Sequence, residues 1–291
     1  MFIRPAWRAA SVFCLSLCFF SCFQPGGCIA RAETSNSSIF LPRLFDPHNR
    51  QDAPAVGAVK QIRFLTADDY PPFEFTAPDG TLAGFNIDLA RAICDELKAS
   101  CTIQPRRWDN LLDAMSEGDG DALIASLRET PAARARLHFT ASYYLTPARF
   151  MSLAGAGKLE VRPEALRDKT VGVEAGSAHE AFLKRFFAPA TIRSFPNRAA
   201  LLEALRAKKI DLAFGDAATF AIWMNDPRSR NCCVFQGGPF LEPDFFGPGV
   251  GIGVRPDEES LRQALNWALQ QLDENGKLNE LYLKYFPIGF Y

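Results

Sequence analysis

Tyr70-Pro71-Pro72-Phe73-Glu74-Phe75, followed at a turn's distance by Gly84-Phe85-Asn86-Ile87-Asp88-Leu89-Ala90, decides how this chain folds. The two prolines forbid helix at 71 and 72 and bias Tyr70 toward an extended backbone. Ahead of them lies the strand-like run Ile62-Arg63-Phe64-Leu65-Thr66. A strand therefore ends in a stiff loop that holds Tyr70 and Phe73 side by side. Asp79-Gly80 marks a turn, and Gly84 is expected to release the chain into an amphipathic helix capped by Asn86.

Outward from this stretch, the N-terminus reads as an export signal. Arg4 and Arg8 supply a positive start, Ala9 to Phe23 an apolar run, and Ala30-Arg31-Ala32 the small residues of a cleavage site. The run falls short of the ~20 apolar residues of a spanning helix, so cleavage after Ala32 is favoured over an anchor. Cys18, Cys22 and Cys28 lack the preceding residues of a lipid-attachment box. The 259 residues that remain carry 29 Lys and Arg against 33 Asp and Glu. That acidic balance argues against nucleic acid as a partner, and the length suffices for two lobes with their own cores. Residues 33–60, rich in Ser, Asn, Pro and Asp, read as an exposed extension.

From residue 61 strands and helices alternate. Strands are expected at 62–66, 102–105, 122–126, 170–174, 192–194, 210–214 and 250–254, with 143–153 extended. Helices are expected at 87–99, 109–117, 177–187, 197–208, 217–223, 257–273 and 277–285. Thr130-Pro131 opens a further helical turn, and Ser177 with Glu180 forms a capping box. Two series of alternation imply two α/β lobes with mostly parallel sheets. His48, His138 and His179 are the only histidines, and none makes a metal-ligand spacing with cysteine. No Ser-His-Asp order, phosphate loop or dinucleotide fingerprint is present, and no cofactor is implied.

The opening stretch resembles that of the periplasmic amino-acid-binding proteins, family 3 of the bacterial solute-binding proteins. The resemblance continues through Trp108-Asp109-Asn110-Leu111-Leu112, Asp121-Ala122-Leu123-Ile124-Ala125-Ser126, Thr130-Pro131, Phe139-Thr140, Tyr143-Tyr144, Val171-Gly172-Val173-Glu174-Ala175-Gly176-Ser177 and Gly276-Lys277-Leu278. It implies the two-lobed type II periplasmic binding fold, with one lobe at 61–147 plus 246–291, the other at 148–245, and two hinge crossings between them. It further implies a monomeric periplasmic protein that delivers an amino acid or related small polar metabolite to an inner-membrane ABC permease. A few relatives are cleft enzymes of the cyclohexadienyl dehydratase type. That is the alternative, with Glu174 or Glu129 as the candidate acid or base; binding without catalysis is the favoured reading.

A zwitterionic amino acid needs a fixed anion for its ammonium and donors for its carboxylate. Asp216 follows an apolar strand at the carboxyl end, where open α/β sheets bind ligands, and it occupies the family's ammonium-binding position; it can also cap the next helix. Ser177 begins a helix, and the family uses the corresponding turn for ligand, which implicates Gly176, Ser177 and Ala178. Tyr70, Phe73 and Trp108 match positions that wall the side-chain pocket, with core packing the alternative for Phe73. One departure stands out. The family's carboxylate-clamping arginine falls at Ala133, and the small hydroxyl residue two positions after Ser126 is here Arg128. Either Arg128 supplies the clamp beside Ser126, or Arg134 does through a shifted turn, or the ligand lacks an ordinary carboxylate; Arg136 is expected on a solvated face. Cys94, near a helix end, and Cys101, opening the next strand, are expected to be bridged as in basic-amino-acid members of the family, worth about 2–3 kcal/mol. The state of Cys232 and Cys233 is left open by spacing.

Overall fold

The computed structural model describes residues 44–291, apart from Pro47, Asn49, Val56, Ile288 and Phe290. The export signal and its cleavage site lie outside the described residues. The described residues of 44–60 form no helix or strand, yet they are not simply an exposed tail. Phe45 and Val59 pack against the first core, and the Gln51 amide donates to Gln270 Oε1 at 2.8 Å.

Gln61–Thr66 is the strand around which the first sheet is built, because Ile62, Phe64 and Leu65 give it apolar groups on both faces. The sheet runs in the order Ser100–Pro105, Gln61–Thr66, Ala122–Leu123, Gly253–Val254, His138–Phe139. Helices Phe85–Leu97, Glu259–Glu274 and Lys277–Tyr285 contribute to one core. Leu111–Ser116 helps build a second with Leu65 and Leu123. The second sheet runs in the order Thr191–Phe195, Thr170–Glu174, Leu212–Asp216, Ala148–Leu153, Cys233–Phe240. Helix Ala178–Phe186 joins a phenylalanine-rich core with Phe150 and Phe214, while Arg198–Arg206 and Ala217–Asn225 join another. Helices over mixed sheets give the expected α/β class.

The sheets are less parallel than the alternation suggests. Gln61–Thr66 pairs in parallel on both sides, whereas Gly253–Val254 pairs antiparallel with both neighbours. In the second sheet Thr170–Glu174 pairs in parallel, and Ala148–Leu153 antiparallel. The crossings are the reason. The chain leaves the first sheet through Tyr143 and Tyr144 and returns through Val250, so strands beside the crossings enter from the opposite direction. The two crossing segments are themselves paired, with Tyr143 N donating to Val250 O (2.9 Å) and Val250 N to Tyr144 O (3.0 Å). The strand Cys233–Phe240 was concealed in the sequence by its Gly237-Gly238-Pro239.

The helix after the opening stretch is capped by Gly84, not Asn86. Gly84 has φ 129°, and a Cβ there would collide with the Phe73 carbonyl, so only glycine lets the loop and helix meet. Asn86 is inside the helix and fully buried. Cys94 and Cys101 are bridged, with Cα atoms 6.2 Å apart. Cys232 and Cys233 are bridged to each other, following the left-handed pair Arg230 and Asn231.

Candidate functional site

Strand Leu212–Asp216 ends in Asp216, which also caps the helix Ala217–Asn225. The two readings of this residue use different oxygens. Oδ1 accepts from Thr219 N at 2.8 Å, whereas Oδ2 faces Arg128 Nη2 at 3.9 Å. Asp216 comes from the second sheet, and Arg128 from the segment following the first sheet's strand Ala122–Leu123, bridged to Val250. The pair therefore spans the space between the sheets. It is loose and half-open to water, the Arg128 side chain being 54% exposed, so it adds little to stability by itself.

Around this pair lies a cavity of about 260 Å³. Tyr70 forms one wall, its ring stacked on Phe73 with centroids 5.2 Å apart and the residue 44% exposed. Ser177 contributes from the opposite sheet. Its hydroxyl accepts from Glu180 N (3.1 Å) and donates to the Glu174 carbonyl (2.7 Å). Glu180 Oε2 takes the Gly176 amide at 2.8 Å, so the expected capping box closes one residue early. Hydrogen bonds from Ser194, Lys184 and Gly176 hold the Glu180 carboxyl down to about 2. The Ser177 hydroxyl, the Gly176 amide and the Glu180 amide are thus committed to the turn, and the amides of Ala178 and His179 are the first-turn groups left for an anion.

The remaining expected residues are elsewhere. Phe73 is 1% exposed, packed between Tyr70 and Tyr144 (4.9 Å) and against Phe286 (5.1 Å); it supports the wall without lining the cavity. Trp108 begins a 3-10 helix and is 48% exposed, away from the cavity lining. Ser126, at φ 53°, turns its hydroxyl to the buried Glu74. Ala133 is buried, and Arg134 pairs with Glu129 at 2.8 Å. Arg136 bonds Asp113, Ser116 and the Leu112 carbonyl. Of the two candidate clamps, Arg128 lines the cavity and Arg134 does not.

Two lining residues with titratable or charged side chains escaped the sequence reading. His179 stacks on Phe246 (5.0 Å) and meets Phe214 edge-on (5.8 Å). Burial pushes its imidazole down to about 4, with Arg128 reinforcing and Asp216 opposing the shift, so it is neutral at physiological pH. Arg198 is the first residue of its helix, directly after the Asn197 cap. Both sit in the first turn of a helix that follows a strand's carboxyl end, a position that solvated helix starts share. No group of metal-ligating side chains occurs among the described residues. No helix among them is long and apolar enough to cross a membrane.

A cation and an anion facing each other across a cleft suit a ligand carrying both charges in reverse order. The family described as bacterial extracellular solute-binding proteins, family 3, matches residues 62–288. The putative ABC transporter arginine-binding protein 2 of Escherichia coli K12 is 31% identical over 229 residues, covering 79% of this chain and 92% of the relative. The L-arginine-binding protein of Pseudomonas aeruginosa is 31% identical over 241 residues, covering 82% and 92%. The histidine-binding periplasmic protein of Escherichia coli K12 is 31% identical over 242 residues, covering 81% and 92%. Among solved structures, an ancestral cationic amino acid solute binding protein aligns at a TM-score of 0.58 and 25% identity, over 78% of this chain and 95% of its own. The L-cystine solute receptor of Neisseria gonorrhoeae, in an unliganded open conformation, shares the fold at a TM-score of 0.70 and 17% identity, over 81% and 96%.

Proposed function

We propose that this chain, which belongs to family 3 of the bacterial extracellular solute-binding proteins, captures an amino acid in its cleft and delivers it to an inner-membrane ABC permease. The observation that carries this reading is the Arg128–Asp216 pair across the cleft. An entering amino acid puts its carboxylate on Arg128 and its ammonium on Asp216 Oδ2. One loose, solvated ion pair is thereby exchanged for two charge-assisted ones, which strengthen as closure removes water. The first helical amides beyond Ser177 add donors to the carboxylate, and the Tyr70 ring covers the side chain. Arginine and histidine, named for the relatives, are the first ligands to test. The protein is assigned binding rather than turnover, acts as a monomer in the periplasm, and is exported by a signal cleaved after Ala32.

Closure follows from the paired crossings. The lobes, 61–147 with 246–291 and 148–245, turn about the segments joined at Tyr144 and Val250. Small-angle scattering is expected to show a smaller radius of gyration on adding saturating L-arginine or L-histidine, whichever stabilises the protein. An unchanged curve at saturation would argue for a rigid cleft.

A further inference from the structure

Glu74 is a buried acid that ligand capture, as described above, does not use. It begins the short strand Glu74–Thr76, and its side chain is fully enclosed. Oε2 accepts from Asn86 Nδ2 (2.5 Å) and from Ser126 Oγ (3.0 Å). Oε1 has no hydrogen-bond partner among the described residues. Asn86 is held in turn by the Tyr143 hydroxyl, which donates to Oδ1 at 2.9 Å, and Asn86 Nδ2 also reaches Ser126 Oγ at 2.9 Å. Ser126 is half-buried, two residues before Arg128. The titratable neighbours are Asp69 on the short strand Asp69–Tyr70 (which pairs with Glu74–Thr76), Tyr70, Tyr143, and Tyr144, whose hydroxyl also meets Ser126. Burial raises both Tyr143 and Tyr144 well above the ordinary phenol value, so they stay neutral.

We propose, on the premise that the cleft holds a ligand carboxylate at Arg128, that Glu74 is a positioning residue which decides whether the Ser126 hydroxyl can donate toward that carboxylate. A serine hydroxyl has one proton, and an ionised carboxylate only accepts. With Glu74 ionised, the Ser126 proton is committed to Oε2. With Glu74 protonated on Oε2, the carboxylic acid donates to Ser126 Oγ, and the serine proton is released to another acceptor. Burial, reinforced by Asp69 and opposed by the Ser126 and Asn86 hydrogen bonds, lifts the Glu74 carboxyl to about 8. Both states are therefore populated in the neutral to mildly alkaline range.

The test compares the parent with Glu74→Gln, which keeps the shape of the side chain but cannot titrate, and with Ser126→Ala. L-Arginine and L-histidine are titrated calorimetrically from about pH 6 to about pH 9, and unfolding is followed without ligand over the same range. Ligand ionisation affects parent and variant alike, so it cancels in the ratio of their dissociation constants. That ratio is expected to be lowest at the acid end. It should rise about tenfold toward the alkaline end as the parent loses one hydrogen bond to a charged group. Between parent and Ser126→Ala the difference should instead shrink as pH rises. In unfolding, a carboxyl raised in the folded state stabilises fully below its unfolded value and loses that contribution as pH rises toward 8. The parent midpoint should thus fall relative to Glu74→Gln with rising pH. Binding with a pH-independent parent-to-Gln ratio overturns the positioning role alone. An unfolding profile parallel to that of Glu74→Gln overturns the titration itself. Failure of both amino acids to bind overturns the ligand assignment, and the positioning role falls with it.

Discussion

Replacing Asp216 with alanine is expected to weaken amino-acid binding a hundredfold or more. Losing one partner of a desolvated charge pair costs ~2–5 kcal/mol, much of it from leaving the other charge unpaired. Asp216 suits that role because its side chain is 18% exposed and its Oδ2 remains clear of the helix cap. Alanine also removes the cap, worth about 1 kcal/mol of stability, whereas Asp216→Asn keeps a good cap and loses only the charge. The asparagine variant should therefore fold like the parent and still bind poorly. Arg128→Ala should lose a similar factor, while Arg134→Ala and Arg136→Ala bind like the parent, since those guanidiniums are engaged by Glu129 and Asp113. Calorimetric titration of the five variants beside the parent decides it. Parent-like affinity in Arg128→Ala with loss in Arg134→Ala would transfer the clamp to Arg134.

Phe73→Ala is expected to destabilise the protein by about 3–5 kcal/mol, the range for deleting a buried phenyl ring. At this size that lowers the unfolding midpoint by roughly 10 °C. The ring touches Tyr70, Phe85, Tyr144 and Phe286. Its loss thus opens a void between the opening loop, the first crossing segment and the C-terminal residues. Phe73→Leu should recover most of the stability. An alanine variant with parent-like unfolding and much weaker binding would make Phe73 a ligand wall instead of core.

The fold was legible because its signals are local and redundant. Strand Thr170–Glu174 and helix Lys277–Tyr285 fall where periodicity and glycine punctuation place them. Gly84 and Asn86 show the limit. Asparagine is a common helix cap, but here tertiary contacts bury it among Glu74, Ser126 and Tyr143. The antiparallel pairings at the crossings were equally hidden, because strand direction depends on which sheet a segment joins. Within the cleft, Asp216 and Arg128 could be placed from strand ends and motif position. His179 and Arg198 could not, since nothing in their immediate neighbours distinguishes a cleft-facing helix start from a solvated one. Ser177 was half legible, as the capping geometry was readable but its hydroxyl's commitment to the Glu174 carbonyl was not.

The central claim, that the space between the sheets is built for an amino acid, is tested most directly by thermal unfolding of the purified protein with each common amino acid in large excess. A ligand at a hundredfold excess over its dissociation constant adds ~2.7 kcal/mol, a rise of roughly 5–10 °C at this chain length. At least one amino acid, L-arginine or L-histidine first, should produce that rise in the parent and not in Asp216→Asn. A midpoint unmoved by every amino acid, or moved equally in both proteins, would contradict the account.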